Sequence, residues 1–486
     1  MSFVLEVKII LINILLWSMK SCHVKAAGFF QLLKSFGPVL ALWFHRKKSL
    51  RASLKGRASR TQPNLSAAEW FLTFGLSFFL VISLGTVGLE AAETLAPDNP
   101  GTAEPFKTEQ FLEYPLSIPL APLRPEALSG RSCSVRLMAV GDILIHNSVR
   151  NAAALKDGGF DFVPSFEHVA KVLSQGNLVI ANLENPLAGI ERGLSGYPNF
   201  NAPDELALGL KQSGFTAVTV SNNHSLDRGW AGLLKTLKTV DAAGLAYFGA
   251  YESPEDKAAR LVGVYNGVKI SVLNYTYGLN GPTVLKPEED WRLGHINTEL
   301  IFKDMAAARA MGAEFVIIAL HFGNEYQRNP SRGQQDLVTE LLTGREITGQ
   351  AGADLILGHH PHVVQPFVYW MGENGEATQA VIYSLGNFIS SQQRPYTFMG
   401  LIFDVTLTIE ADGRRSIGPF RLIPTYCYKG NEDNREVYKV LPLDLAAANP
   451  EIYGVDKATA EQMSNYFKEM SDHLVSMLPP PPPQSQ

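Results

Sequence analysis

The sequence predicts an α/β domain whose sheet is largely parallel or mixed, with its strands buried. Short, β-branched apolar runs alternate with amphipathic stretches along the central part of the chain, as in layered α/β domains. The composition of 46% hydrophobic and 18% charged residues among 486 is that of a globular protein with a substantial core. Short polar clusters also follow several apolar runs, and ligands bind at the carboxyl ends of strands in such sheets.

The first 68 residues form a basic leader. They contain eleven Lys or Arg residues and one acid, Glu6, for a net charge of +10, whereas the whole chain carries −5. The remaining residues therefore carry −15. Unspecific nucleic-acid binding depends on clustered basic side chains that neutralise phosphates. We therefore expect no nucleic-acid partner for this acidic body.

An uncharged segment after the leader predicts a transmembrane anchor over residues 69–90. Trp70 to Leu89 is a run of 20 residues without a charged side chain, which as a helix would span roughly 30 Å. Its basic flank comprises Arg46, Lys47, Lys48, Arg51, Lys55, Arg57 and Arg60. By the positive-inside tendency this flank stays cytoplasmic. We expect a single-pass protein of the cell membrane with an extracytoplasmic catalytic domain.

A cleaved signal peptide is the alternative interpretation of this segment. Small residues at Ala91 and Ala92 follow it, where a peptidase could cut. The mature protein would then be a soluble, nucleotidase-like enzyme. In either case the Pro-rich residues 91–132 predict an extended stalk before the folded domain.

The predicted catalytic domain covers residues 133–428. The predicted strands are Val135–Val140, Leu178–Ala181, Ala217–Ser221, Val268–Asn274, Phe315–Leu320, Leu355–Leu357 and Ala380–Tyr383. The predicted helices between them are Pro164–Ser174, Glu205–Ser213, Trp230–Ala243 and Thr298–Met311. Alternating runs at Leu401–Ile409 and Arg415–Pro424 predict an antiparallel hairpin that closes the domain.

Residues 429–486 form a predicted C-terminal extension. An amphipathic helix is expected over residues 456–477, followed by a Pro-rich tail at Pro479–Pro483. With only three cysteines, the chain can build neither a disulfide scaffold nor a Cys-rich zinc site. Cys133 and Cys427 could pair if the domain lies outside the cytoplasm.

Five polar clusters contain six of the 11 histidines. They are Gly141–His146, Asn182–Pro186, Asn222–Gly229, His321–Tyr326 and Gly358–His362. Each cluster follows a predicted strand, so we expect their side chains to converge at one end of the fold. This distribution predicts a metal centre.

The side chains in these clusters offer a mixture of oxygen and imidazole donors. Such mixtures suit Mn, Fe or Zn better than Ca or Mg. The candidate ligands are Asp142, Glu184, Asn223, His321, His360 and His362. Two divalent ions about 3.5 to 4 Å apart could share a hydroxide, lower its pKa and aim it at a phosphorus or carbonyl centre.

The spacing of His360 and His362 also fits a common site. In an extended segment, residues two apart point to the same side, so both rings would face the metals while His359 faces away. Pro361 between them fixes its own φ and would stiffen the pair. His359 is then expected to be packed or hydrogen-bonded behind the ligands.

The series of motifs resembles that of the CapA family, bacterial proteins tied to poly-γ-glutamate or capsule synthesis that are themselves similar to calcineurin-like metallophosphatases. The resemblance runs in order from about Val135 to about Pro424. It is carried by Gly141-Asp142, Asn182-Leu183-Glu184, Asn222-Asn223-His224 with Asp227 and Gly229, His321 to Tyr326, His360-Pro361-His362 and Ser384-Leu385-Gly386-Asn387-Phe388.

The resemblance implies a four-layer α/β/β/α metallophosphatase-like sandwich with a dinuclear centre. Asp142 and His362 would bind one ion, Glu184 would bridge both, and Asn223, His321 and His360 would hold the second. His224 would stabilise the transition state or protonate the leaving group, oriented by Asp227. Residues expected to contact substrate are Asn222, Arg228, Glu325, Tyr326 and Asn387. Each has an alternative role: Asn222 could cap its turn, Arg228 could be a surface charge, Glu325 and Tyr326 could support His321, and Asn387 could belong to a tight turn at the border of the pocket.

The first motif departs from the metallophosphatase pattern. Those enzymes usually carry Asp-x-His there, whereas this chain has Leu144 at the histidine position. His146 lies two residues further on and could substitute as a ligand. The usual bridging aspartate is likewise replaced by Glu184.

These observations predict a membrane-anchored, metal-dependent hydrolase that serves capsule or poly-γ-glutamate synthesis. Its expected substrate is a cell-envelope polymer or a phosphoester, and its expected partners are the membrane and capsule synthesis or export proteins. The competing interpretation is a non-catalytic component of a polymer synthesis or export complex that keeps its metal for structure or ligand capture.

Overall fold

A computed structural model describes residues 132–281, 291–344 and 351–478. The predicted leader at 1–68, the anchor at 69–90, the stalk up to residue 131 and the Pro-rich tail lie outside these residues. Across the three described ranges, no helix combines the length and the apolar character needed to cross a membrane.

The described residues form fourteen strands. They are β1 (Cys133–Ile143), β2 (Leu178–Leu183), β3 (Ala217–Thr219), β4 (Ala246–Phe248), β5 (Gly263–Tyr265), β6 (Val268–Thr276), β7 (Phe315–His321), β8 (Leu355–His359), β9 (Phe367–Met371), β10 (Ala377–Ile382), β11 (Asn387–Ile389), β12 (Met399–Ile409), β13 (Arg415–Glu432) and β14 (Arg435–Pro442). All seven predicted strands are confirmed, to within three residues at either end.

Ten α-helices and a 3-10 turn at Ile190–Arg192 complete the described elements. The helices are α1 (Asn147–Ala152), α2 (Val163–Leu173), α3 (Glu205–Gln212), α4 (Gly229–Ala242), α5 (Pro254–Ala259), α6 (Thr298–Ala310), α7 (Arg332–Thr343), α8 (Leu443–Ala448), α9 (Pro450–Tyr453) and α10 (Lys457–Leu474). The four helices predicted between strands correspond to α2, α3, α4 and α6, and the predicted C-terminal helix corresponds to α10.

The strands form two mixed sheets. The first has the order β14-β13-β12-β1-β2-β3-β4, with β11 also paired to β1, and the second has the order β5-β6-β7-β8-β10-β9. In the first sheet β1 to β4 are parallel, and β12 to β14 continue it as antiparallel strands. In the second sheet β6, β7, β8 and β10 are parallel. The hairpin predicted for β12 and β13 is confirmed.

The two sheets pack against each other through one apolar face of each. Leu137 and Ala139 of β1 belong to the same buried cluster as Ile317 of β7 and Leu357 of β8. Side chains alternate between the two faces of a strand, so the intervening residues of β1 and β7 must point outward. This alternation creates the need for a covering layer on each outer face.

Helices provide both covering layers. On the outer face of the first sheet, Met138 of β1 packs with Phe166 of α2 and Leu237 of α4. On the outer face of the second sheet, Ile318 of β7 packs with Met305 of α6 and with residues of α7. The described layers are therefore helix, sheet, sheet, helix, which is the order that the resemblance implied.

The C-terminal segment is part of the same folded unit. The predicted boundary at residue 428 falls inside β13, and β14 pairs with β13 from Thr425 to Glu432. Met463 and Met470 of α10 are buried in the cluster between the sheets, together with Leu441 of β14.

The possible pairing of Cys133 with Cys427 is wrong, because both cysteines are free. Cys133 lies opposite Ile409 at one end of β12, whereas Cys427 follows Tyr426, which lies opposite Met399 at the other end. The length of a strand of this kind, roughly 30 Å, separates them, and a disulfide requires Cα atoms within about 7 Å.

Candidate metal centre

The register of the strands brings the predicted clusters to one end of the sandwich. Asp142 of β1 lies opposite Asn182 of β2 and Asn387 of β11. In the second sheet, His321 ends β7 and lies opposite His359, which ends β8. Because these are carboxyl ends of neighbouring parallel strands, the side chains of both sheets meet in the same crevice.

A backbone irregularity aims Asp142 into that crevice. The pairing of β1 with β2 shifts register between Val140 and Asp142, as in a β-bulge. Gly141 lies inside the bulge, close to the loop that contains Gly386. A Cβ at Gly141 would lie 1.9 Å from the carbonyl oxygen of Gly386. The amide of Asp142 donates to the same carbonyl at 2.9 Å.

Asp142 is fully buried, and several groups surround its carboxylate. Asn182 Nδ2 donates to Oδ1 at 2.8 Å, His359 Nδ1 lies 3.3 Å from Oδ1, and His362 Nδ1 lies 3.1 Å from Oδ2. Burial by itself would raise the pKa of Asp142, but the hydrogen bonds from His359 and His362 hold that pKa well below its ordinary value. Asp142 therefore stays charged.

Glu184 has the opposite electrostatics. It is fully buried, and neither carboxylate oxygen has a hydrogen-bond partner. His321 Nε2 and His362 Nε2 lie 3.4 Å and 3.8 Å from Oε1. Burial and then the charge of Asp142 raise the pKa of Glu184 well above its ordinary value. A nearby cation would offset both effects, because it favours the charged carboxylate.

His321 and Asn223 face each other across the crevice. His321 Nε2 lies 2.9 Å from Asn223 Oδ1, and Asn182 Nδ2 lies 3.4 Å from His321 Nδ1. The His321 ring is fully buried. Burial and the neighbouring His360 lower its pKa well below the ordinary value. The ring is therefore neutral, which is the form that binds metals.

The loop after β8 positions His360 and His362, but not as an extended segment. His360 has φ +94° and His362 has φ +59°, so the expectation of an extended His360-Pro361-His362 is wrong. These left-handed conformations, rare for bulky residues, point both rings into the site. His359 does not face away either, since its ring lies against Asp142. Burial and then the charge of His362 lower the pKa of His360 to about 3.

Two overlapping groups of ligand atoms result. One comprises Asp142, Glu184 and His321, the other comprises Glu184, His360 and His362, and in each the ligand atoms lie within 4.8 Å of one another. Glu184 is common to both, which is the position that the resemblance implies for a bridging ligand. The resemblance groups the other residues differently, pairing Asp142 with His362 and His321 with His360.

These residues fit a metal site on their own chemistry. A buried carboxylate without donors costs free energy unless a cation lies beside it. Glu184 offers two such oxygens, and the Nδ1 atom of His360 is likewise buried without a hydrogen-bond partner. Carboxylate and neutral imidazole donors together match Mn, Fe or Zn.

His146 does not belong to either group of ligand atoms. Its Nδ1 lies 3.2 Å from the carbonyl oxygen of Leu144 and 3.5 Å from Ser390 Oγ, and its ring contacts the edge of Phe200 at 5.2 Å. Burial first, and then the charges of His362 and His224, lower its pKa to about 4. The first motif thus contributes Asp142 alone to the two groups.

The expected contact between His224 and Asp227 is present. His224 Nδ1 lies 2.7 Å from Asp227 Oδ2, and both side chains are buried, at 7% and 1% exposure. The amide of Phe200 donates to the same Asp227 oxygen at 2.7 Å, and the Phe200 ring meets the His224 ring edge-on at 4.7 Å. Because a carboxylate accepts from Nδ1, the proton of neutral His224 lies on Nδ1 and leaves Nε2 as the second functional atom.

Two residues expected to contact substrate instead make polar contacts with other residues of the protein. Asn222 donates through Nδ2 to the carbonyl oxygen of Leu183 at 2.9 Å and accepts at Oδ1 from the amide of His224 at 3.1 Å. It holds the loop that carries Asn223 and His224. Asn387 Oδ1 lies 3.1 Å from His362 Nδ1, which orients that ring.

Three further predicted residues lie nearer the rim. Arg228 donates to Ser195 Oγ and, at 3.0 Å, to the carbonyl oxygen of Asn199. Glu325 is exposed, and its charge contributes to the raised pKa of Glu184. The amide of Tyr326 donates to the carbonyl oxygen of Pro361 at 2.8 Å, and the Tyr326 ring centroid lies 6.0 Å from that of His362.

Several residues at the site carried no prediction of a role. Asn182 joins Asp142 to His321. The Tyr277 ring lies 4.6 Å from that of His360, and Asn280 Nδ2 lies 3.2 Å from His224 Nδ1. Asn182 belongs to the Asn182-Leu183-Glu184 motif, and its position directly after a strand could have indicated its place at the site. Tyr277 and Asn280 follow β6 without any metal-type residue nearby in sequence, so nothing marked them.

One family of known proteins matches the part of the chain that contains this site. The family model described as "Bacterial capsule synthesis protein PGA_cap" matches residues 136–392, which include every side chain of the two ligand groups. The chain belongs to this family. The family expected from the motifs is thereby confirmed.

Two curated relatives of this PGA_cap member come from bacilli. The "Capsule biosynthesis protein CapA" of Bacillus anthracis is 31% identical over 263 residues, which cover 52% of this chain and 59% of that protein. The "PGA biosynthesis protein CapA" of Bacillus subtilis (strain 168) is 28% identical over 291 residues, which cover 58% of this chain and 70% of that protein. The chain thus spans about three fifths of the Bacillus anthracis protein.

Solved structures similar to this family member are distant. The calcineurin-like phosphoesterase YfkN from Bacillus subtilis is 15% identical with a TM-score of 0.37, covering 68% of this chain and 99% of that chain. The NAD nucleotidase NadN of Haemophilus influenzae gives the same identity and TM-score, covering 70% of this chain and 68% of that chain.

Proposed function

We propose that this protein is a metal-dependent hydrolase that acts on a phosphoester during capsule or poly-γ-glutamate synthesis. The observation that carries the proposal is Glu184, a buried carboxylate without hydrogen-bond donors that is shared by two groups of ligand atoms. Such an arrangement is suited to two divalent cations of the Mn, Fe or Zn type. The two Bacillus relatives are named as capsule and PGA biosynthesis proteins, which supports the biological setting.

The chain's own residues would hold and orient the reacting groups. Asp142, Glu184 and His321 would hold one ion, and Glu184, His360 and His362 the other. When bound, the ions would supply Lewis-acid polarisation of the phosphoryl group and activation of water. Asn182 and Asn387 fix Asp142 and His362, so that the ligand atoms keep their positions.

His224 would manage the proton of the leaving group. Its Nδ1 is held by Asp227, so a second proton taken up at Nε2 can be donated to the departing oxygen. The buried carboxylate of Asp227 stabilises the resulting cationic ring. Asn280 and the edge of Phe200 restrict the orientation of the imidazole.

The proposal includes a membrane location. The uncharged segment Trp70–Leu89 and its basic flank support a single-pass anchor with the metal centre outside the cytoplasm. The membrane, a cell-envelope polymer and capsule synthesis or export proteins would then be the partners.

Hydrolysis can be tested with purified full-length protein and manganese on bis(p-nitrophenyl) phosphate. We expect turnover by the wild type and a lower kcat in His224→Ala. The fall should lie at the low end of the 10²- to 10⁴-fold range, about 10²-fold or less, because p-nitrophenolate needs little protonation to leave. Manganese affinity should be unchanged, because His224 belongs to neither ligand group. The control is His168→Ala on α2, which should retain wild-type turnover.

A binding role is the second candidate function. It is favoured by Leu144 at the position of a usual metal ligand and by the absence of His146 from both ligand groups. The protein would then retain a metal for ligand capture within a polymer synthesis or export complex. Turnover by neither wild type nor His224→Ala would contradict hydrolysis and favour this role, whereas equal turnover by both would contradict only the role given to His224.

A further inference from the structure

Arg394 is an exposed cation at the rim of the metal centre. Its guanidinium carbon lies 4.4 Å from the centroid of the Tyr326 ring. No carboxylate of the described residues forms an ion pair with it, so its charge and its donors face solvent. Stacking on an aromatic ring orients a guanidinium while leaving its edges able to bind an anion.

Three other arginines that stack on rings among the described residues are ion-paired. Arg328 lies 4.0 Å from the centroid of the Tyr396 ring, and its Nη1 is 2.5 Å from Glu469 Oε1. Arg260 and Arg415 also lie over rings and hold Asp256 and Asp354. In each case the fold supplies the anion. For Arg394 it does not, although the aromatic support is the same.

The position of Arg394 links it to the metal ligands. Tyr326, which supports Arg394, has its ring centroid 6.0 Å from that of His362, so the guanidinium lies no more than about 10 Å from the His362 ring. The backbone amide of Tyr326 donates a hydrogen bond to the carbonyl oxygen of Pro361, and Gln392 Nε2 donates to the Tyr326 hydroxyl at 3.5 Å. The ring that supports the cation is therefore held beside the site.

An acid on the same rim forms no ion pair with this cation. Glu325 precedes Tyr326, and among the described residues it has no ion-pair partner. Burial first, and then Glu325, raise the pKa of Tyr326, whereas the charge of Arg394 lowers it. Both charges therefore lie near Tyr326, but Arg394 is not held in an ion pair by Glu325.

We propose that Arg394 binds a second negative charge on the substrate, separate from the phosphoester at the metals. This inference rests on the proposed function and narrows its substrate class to phosphoesters that carry an additional carboxylate or phosphate. The guanidinium that would bind the extra anion lies within about 10 Å of the His362 ring, the span set by Tyr326.

Two matched esters test the assignment with full-length, manganese-loaded protein. Pentyl p-nitrophenyl phosphate carries one charge, and 4-carboxybutyl p-nitrophenyl phosphate has a chain of the same length that ends in a carboxylate. In Arg394→Gln we expect the preference for the carboxylate ester, measured as a ratio of kcat/KM values, to fall about tenfold. The loss should lie in KM, with kcat and the pentyl ester unchanged, and Arg394→Lys should restore part of it.

Arg328, which stacks on the Tyr396 ring but forms an ion pair with Glu469, provides the control. Arg328→Gln should leave the ester preference at the wild-type value. Added salt should weaken the preference of the wild type but not of Arg394→Gln, because an exposed charge is screened. An unchanged ratio in Arg394→Gln, or the same fall in Arg328→Gln, overturns the assignment.

A binding measurement separates this inference from the proposed hydrolysis. If the wild type turns over neither ester, hydrolysis fails, and the two dissociation constants are measured by calorimetry instead. A preference for the carboxylate ester that Arg394→Gln abolishes would still support the anion site. Equal affinity for the two esters, or binding of neither, would overturn it.

Discussion

The surroundings of Glu184 disfavour the charged form of its carboxyl group. Its carboxylate lies in a fully buried position beside the charged Asp142, and no donor reaches either oxygen. Without a cation, folding must either bury this charge or protonate the group, and both cost free energy. The penalty falls on the metal-free protein and is relieved when a divalent ion binds.

We therefore expect Glu184→Gln to have opposite effects in the two states. Without metal the variant should be at least as stable as the wild type, because an unpartnered carboxyl is replaced by a neutral amide. With manganese at about 100 times the wild-type dissociation constant, the wild type should gain about 2.7 kcal/mol for each ion bound and the variant much less. Thermal unfolding with manganese and with EDTA measures both effects.

The matched control is Glu373→Gln, which alters an exposed carboxylate in the turn between β9 and β10. It should respond to manganese as the wild type does. A manganese shift in Glu184→Gln equal to that of the wild type would show that Glu184 does not hold the metal.

The histidines of the last cluster show the limit of residue-scale prediction. His360 and His362 were identified as ligands because of their type and context, and both lie in a ligand group. The reason given for their common direction was wrong, because both adopt positive φ instead of an extended conformation. Local spacing identifies a cluster, but a strained backbone is set by the surrounding packing.

At the scale of the element, β1 depends on a glycine to present its ligand. The bulge between Val140 and Asp142 brings the backbone of Gly141 against the Leu385–Gly386 loop. A side chain at this position would collide with backbone, which cannot rotate away. The short loop after β10 and the end of β1 are therefore fitted to each other around one residue without a Cβ.

Gly141→Ala should destabilise the protein and disturb the site. The added methyl group would lie 1.9 Å from the carbonyl oxygen of Gly386, so one of the two segments must move. We expect a loss of at least about 1 to 3 kcal/mol in the free energy of unfolding, as for other overpacked positions. Manganese affinity should fall as well, because Asp142 moves with the strand.

Gly333→Ala is the control at this scale. Gly333 lies in α7, and nothing lies within 4 Å of a Cβ placed there. Alanine favours helix by up to about 1 kcal/mol over glycine. Urea unfolding should therefore show unchanged or higher stability for Gly333→Ala, and an equal loss in both variants would contradict the collision at Gly141.

The C-terminal segment belongs to the folded unit of the described residues. Within the extension predicted over residues 429–486, β14 adds to the first sheet, and Met463 and Met470 of α10 are buried in the core between the sheets. The amphipathic pattern predicted that helix correctly. The pattern identifies which face of the helix is apolar, but it does not identify the surface against which that face packs.

Met463→Ala tests whether α10 belongs to the global core. Met463 is fully buried in the cluster between the sheets. Truncating it should lower the free energy of unfolding by about 2 to 5 kcal/mol, as in other cores. Denaturant unfolding followed by near-UV circular dichroism should show one transition that moves as a whole.

The control is Ile452→Ala on α9, where the side chain is 52% exposed. Its effect should stay within about 0.5 kcal/mol, as is usual for surface positions. Two separate transitions, with only one of them shifted by Met463→Ala, would mean that α10 folds independently of the sandwich.

The sequence by itself determined the alternating α/β elements, the end of the sheets at which polar side chains collect and the identity of the family. These follow from periodicity, from residue type and from the rule that parallel strands share one carboxyl end. Only the tertiary structure decided that Glu184 lies in both ligand groups, that His146 lies in neither and that Asn387 holds His362. Those outcomes depend on contacts between residues far apart in the chain, and on backbone conformations that packing imposes, which no local pattern encodes.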